Sequence, residues 1–94
     1  MQKTVIEFSY NGIIALTKKV ELPYYSRTDC HAYAILNENK MISVSYGLEN
    51  AEKIEIHGKG YFEQAVKDNC IKIDAEEFDV IFLSVMNKML ELKK

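Results

Sequence analysis

The segment DAEEFDVIFLSVMNKMLEL, residues 74–92, decides the fold. Asp74 is a good N-cap, and Glu77 stands three residues on, the spacing of a capping box. Glu76 and Glu77 suit the positive end of a helix; Lys88, Lys93 and Lys94 suit the negative end. Phe78, Ile81, Phe82, Val85, Met89 and Leu92 recur at helical spacing and share an arc of roughly 100°. The segment therefore predicts a long amphipathic helix whose main stripe lies on a sheet. A second apolar group, Val80, Leu83 and Leu90, falls well off that stripe. Met86 lies between the two sets, and Asp79 and Asn87 interrupt. One face of a small sheet covers only one side of a helix, so this group needs another neighbour. The candidates are the short helix and the polar loop described below, or a second molecule. Left in water, each of the three forgoes roughly 1.5–3 kcal/mol of burial.

Upstream of the helix the chain reads as strands. Residues 3–10 alternate, and Asn11-Gly12 is the strongest short signal for a two-residue hairpin, because both turn positions need positive φ. A two-residue loop pairs Tyr10 with Ile13, Phe8 with Ala15 and Ile6 with Thr17. Val20 and Leu22 fall out of phase with that face, so either both faces of the strand are partly covered or, the favoured reading, a bulge near Lys18-Lys19 resets the register. Pro23 ends the strand, and Tyr24–Asp29 reads as a polar, aromatic loop. A second hairpin runs from His31 to Tyr46 and turns through Asn37-Glu38-Asn39-Lys40. With Leu36 opposite Met41, Ile35 pairs with Ile42, Tyr33 with Val44 and His31 with Tyr46. Ala32, Ala34, Ser43 and Ser45 are then left on a small-residue face. Gly47–Glu52 is a loop and Lys53–His57 a fifth strand with Ile54 and Ile56 inward. Tyr61–Asp68 is a short helix with Phe62, Ala65 and Val66 inward, closed by a left-handed Asn69. Cys70–Ile73 is a brief extended segment.

Strands first and helices last make the class α+β. The expected architecture is an antiparallel sheet of about five strands, two consecutive hairpins plus one strand, with one short helix and a long C-terminal helix packed on one face. The 94 residues form a single domain, large enough to fold without disulfides or a metal.

The formal charge of -2 argues against a duplex nucleic-acid binder, which presents a basic stripe to the phosphates. No apolar run approaches the ~20 residues that span a bilayer. The opening residues form a strand-like pattern, not a secretory signal, and Cys30 and Cys70 lie in no C-x-x-C motif. A cytoplasmic protein with reduced thiols follows. Asp29-Cys30-His31 contains the pieces of a thiol active site, but neighbours in a strand point to opposite faces and cannot form a nucleophile–base pair. Cys30, His31, His57 and Cys70 match no structural zinc spacing, so neither metal nor cofactor is expected.

Two binding surfaces remain. Gly58, Lys59 and Gly60 join a strand to a helix and form a candidate anion site, where backbone N–H groups meet a phosphate; the full glycine fingerprint is lacking. Tyr24, Tyr25, Arg27 and His31, with Tyr33, Lys18 and Lys19 nearby, combine stacking surfaces with positive charge. They form a candidate contact for a small ligand or a single-stranded nucleic acid, extended by the small-residue face. No catalytic set is legible. The leading expectation is a non-enzymatic interaction module, a homodimer or the partner of another protein, docking through Val80, Leu83, Met86 and Leu90.

Overall fold

The computed structural model describes residues 4–10, 13–47, 52–67 and 69–91. The Asn11-Gly12 turn, residues 48–51 of the expected loop, Asp68, and the terminal Leu92, Lys93 and Lys94 lie outside them. The strands are β1 (Thr4–Tyr10), β2 (Ile13–Leu22), β3 (Tyr24–Arg27), β4 (His31–Asn37), β5 (Lys40–Ser45), β6 (Lys53–His57) and β7 (Ile71–Ile73). A 3-10 helix spans Lys59–Val66, and α1 spans Ala75–Glu91. β1 and β2 pair as a separate two-stranded sheet; the other five form one antiparallel sheet in the order β6-β5-β4-β3-β7. The class is α+β, with a five-stranded antiparallel sheet and a long C-terminal helix.

The middle strand, β4, carries the decisive detail. Asn37 pairs with Lys40, and a one-residue irregularity at Leu36 then shifts the ladder. Ile35 faces Met41, Ala34 faces Ile42, Tyr33 faces Ser43 and Ala32 faces Val44. Each pair is one residue away from the register expected from the turn length, and a one-residue slip exchanges the faces of a strand. Leu36, the extra residue, is 42% exposed. The predicted small-residue face therefore does not exist. Ala32 and Ala34 are buried beneath α1 with Val44, while Tyr33, Ile35, Met41 and Ser43 face the other side.

The first hairpin also departs from its expected register. Tyr10 pairs with Ile13, as the turn requires, but the ladder shifts between Ser9 and Tyr10, so that Phe8 meets Lys18 and Ile6 meets Val20. The bulge lies beside the turn, not at Lys18-Lys19. Its consequence is the one the hydrophobic pattern demands: Ile6, Val20 and Leu22 are buried together. Tyr24–Arg27, expected as loop, is β3, seated between β4 and β7. Ser26 at its centre is fully buried and donates its hydroxyl to the Ala65 carbonyl at 2.6 Å, which satisfies a polar group a sheet interior would otherwise reject.

Each face of the sheet has its own core. On one side Phe78 and Val85 of α1 pack on Ala32, Ala34, Val44 and Ile73, flanked by Ile81, Phe82 and Met89. On the other, Phe62, Ala65 and Val66 of the 3-10 helix meet Ile35 and Met41, with Ile6, Val20 and Leu22 of the hairpin closing the layer. The 3-10 helix begins two residues earlier than expected and ends at Lys67 in an extended conformation, not at a left-handed Asn69. Arg27 Nε donates to Glu77 Oε2 at 2.9 Å, and Lys88 Nζ lies 3.7 Å from Glu52 Oε1. These ions bracket α1 between β3 and the approach to β6. Exposed ion pairs of this kind are worth only ~0–1 kcal/mol, so burial holds the helix down.

The close seat of α1 requires residues with nothing beyond Cβ at positions 32 and 34. Ala34→Leu should lower stability in urea unfolding by about 1–3 kcal/mol through overpacking, whereas Leu36→Ala should change it by ~0.5 kcal/mol or less. An unaltered midpoint for Ala34→Leu would contradict this packing.

Candidate functional site

With Phe78 and Val85 turned into the sheet, the helical period carries Val80, Leu83 and Leu90 to the opposite side of α1. They are 65%, 50% and 51% exposed, while Met86 is half-buried at the margin. Neither internal cover expected from the sequence reaches them. The 3-10 helix packs on the far face of the sheet, and Tyr24–Arg27 is a strand within it. Asn87, at the middle of the outward strip, is exposed as well. At the start of α1, Asp74 Oδ1 accepts the Glu77 N–H at 2.8 Å. The Glu77 carboxylate binds Arg27 instead of turning back to the N-cap, so the cap is one-sided.

Tyr24, Tyr25, Arg27 and His31 do not share one surface. Tyr25 and Arg27 point to the α1 side, where Tyr25 lies 5.5 Å from Phe78 and Arg27 is held by Glu77. Tyr24, Tyr33 and His31 belong to the opposite side, where His31 stacks on Tyr33 at 6.1 Å and the Lys72 ammonium lies 5.8 Å from the Tyr24 ring centre. Alternation along β3 separates neighbours that composition had grouped together.

Cys30 and His31, expected to diverge, are in contact, with Sγ 3.1 Å from Nδ1. The reason is a bend before β4: Thr28 Oγ1 accepts the N–H groups of both residues, so Cys30 stands outside the strand and its side chain turns back. A second contact had no sequence signal. Ser43 Oγ lies 2.8 Å from His57 Nε2, a diagonal pair across β5 and β6. His57 also packs on Tyr61 with ring centres 4.5 Å apart, and Ser43 is buried. This pair satisfies a buried hydroxyl.

Two open grooves lie elsewhere. One, of about 620 Å³, is bounded by Leu22, Pro23 and residues 36–40. The other, of about 550 Å³, runs past Pro23, Tyr25, Lys72, Asp74 and Glu77. Neither is lined by Cys30 and His31 or by Ser43 and His57. Gly58, Lys59 and Gly60 are exposed, and Gly58 has an ordinary φ of -86° and gives its carbonyl to the Tyr61 N–H. A Cβ at Gly58 or Gly60 would meet open space, so no close backbone approach is built there. Among the described residues no three His, Cys, Asp or Glu side chains gather as a metal site, and no helix is long and apolar enough to cross a membrane.

No protein-family model, curated protein or solved structure matches the chain.

Burial raises the pKa of the Cys70 thiol. Burial, and secondarily the negative charge of the nearby Cys70 thiolate, raise those of Tyr24 and Tyr33. In each case the folded chain keeps its proton longer than the unfolded chain, whose groups ionise near the ordinary 9.0 for the thiol and 10.0 for the phenols. Above those values the unfolded state binds fewer protons, so stability falls as pH rises. Urea midpoints should decline from about pH 9 upward, and Cys70→Ser should remove the earliest part of the decline; a flat profile to about pH 11 would contradict the burial of these groups.

Proposed function

We propose that this chain is a non-enzymatic protein-interaction module that associates with a second copy of itself through the outward face of α1. The observation that supports the reading is the exposure of Val80, Leu83 and Leu90 along one side of a helix whose other side is already committed to the sheet. Scattered exposed leucines are ordinary, but a contiguous strip is not. A helix apolar on two opposed sides ordinarily has neighbours on both. A two-fold pair is the simplest arrangement that covers the strip, because the same patch serves both partners. Met86, at the edge of the strip, extends the contact toward the sheet. The chain's two free cysteines fit a reducing, cytoplasmic setting for this module.

The strip from Val80 to Leu90 is about 15 Å long at 1.5 Å per residue. Alone it falls short of the ~800 Å² per partner of a standard interface, so the expected association is reversible and concentration-dependent. Sedimentation velocity over a wide concentration range should show a monomer–dimer equilibrium. Leu83→Lys with Leu90→Lys should abolish the dimer and leave the circular dichroism spectrum and urea midpoint nearly unchanged, because both side chains point to solvent in the monomer. A monomer at every concentration, with the native sequence intact, would overturn the proposal.

A further inference from the structure

The outward strip has a finer pattern than exposure alone reveals. Val80, Leu83, Asn87 and Leu90 follow one another at intervals of three, four and three residues. That is the a-d-a-d spacing of a heptad seam, with a β-branched residue at the first a, Leu at both d positions and Asn at the second a. Among parallel pairs, valine at a with leucine at d favours two strands, and a single a-position Asn specifies register and oligomer state. All four residues lie within α1, and all are exposed.

Resting on the self-association proposed above, we infer that the two α1 helices pair in parallel about a two-fold axis along their length, and that Asn87 is the residue that selects this orientation. In a parallel pair each seam residue meets its own copy, so the Asn87 amide meets a second amide that both donates and accepts. In the antiparallel alternative, a positions meet d positions. Asn87 would then be buried against Leu83 of the other copy, with its amide lacking a partner. Parallel pairing sets Asp79 beside Ser84 of the other copy and Met86 beside Glu91, so no like charges meet on the flanks. Antiparallel pairing would bring Glu77 toward Glu91, but Arg27 already holds the Glu77 carboxylate, so the orientation rests on Asn87. The pattern also favours a second copy over an unrelated helix, which would need to supply its own amide at the matching layer.

The test is disulfide trapping from one position. Leu90→Cys, oxidised gently with oxidised glutathione at a concentration where sedimentation shows dimer, should double its apparent mass on non-reducing electrophoresis. Peptide mass spectrometry should place the bond between two residue-90 cysteines, distinguishing it from the native Cys30 and Cys70. In an antiparallel pair those positions lie ~15 Å apart along the axis, far beyond disulfide reach. An equal mixture of Val80→Cys and Leu90→Cys chains would then crosslink 80 to 90 instead, and that outcome overturns the orientation while leaving self-association intact. Asn87→Leu should keep the dimer and yield both crosslinks; if only the 90–90 bond still forms, Asn87 does not select the orientation. A monomer at all concentrations sinks the parent proposal and this inference together.

Discussion

The structure depends on how closely α1 can approach the middle strand of the sheet. Ala32 and Ala34 of β4 have no exposed surface, and Phe78 and Val85 occupy the space their small side chains leave. This seat exists only because of the extra residue at Leu36. Without that shift, β4 would turn Tyr33 and Ile35 toward the helix and lift it away from the sheet. Once Phe78 and Val85 are fixed inward, helical geometry fixes the rest. Val80, Leu83, Asn87 and Leu90 must face out, and the 3-10 helix with the β1–β2 hairpin must close the opposite side.

Local signals in the sequence were the reliable ones. The start of α1 at Asp74, its main apolar stripe and the inward residues of the 3-10 helix, Phe62, Ala65 and Val66, follow from capping and periodicity that act within a few residues. Register was harder to read. Between His31 and Tyr46 the pairing expected from the turn length sorts bulky from small residues, whereas the observed one sets Ala32 and Ala34 with Ile42 and Val44, and only the bulge at Leu36 separates the two. β3 was illegible for a different reason. Its Tyr-Tyr-Ser-Arg sequence resembles a loop, and the buried Ser26 is acceptable only because Ala65, far along the chain, supplies an acceptor. The contact between Cys30 and His31 depends on a bend held by the Thr28 side chain, again outside any period-2 pattern.

The candidate site was half legible. Periodicity marked Val80, Leu83 and Leu90 as lying off the sheet-facing stripe, but it could not say which element would cover them. That answer needed the tertiary arrangement, in which the short helix lies across the sheet from α1. The aromatic–basic grouping of Tyr24, Tyr25, Arg27 and His31 dissolved for the same kind of reason: proximity in sequence places residues near one another, while alternation along a strand sends them to opposite faces. Among the exposed large apolar residues, Val80, Leu83 and Leu90 share one side of α1, whereas Ile71 stands on the edge strand β7 and Ile56, expected inward with Ile54, is exposed on the edge strand β6 beyond the cover of the core.

A helix that serves two apolar neighbours should report them separately. Methyl-resolved NMR of the chain, recorded from dilute to concentrated solution, distinguishes the two sides residue by residue. The Val80, Leu83 and Leu90 methyl signals should move with concentration, while Val85, Ala32 and Ala34 remain fixed. Signals that are static throughout, or movement centred on Val85 instead, would contradict a helix whose inner side holds the fold and whose outer side holds a second copy.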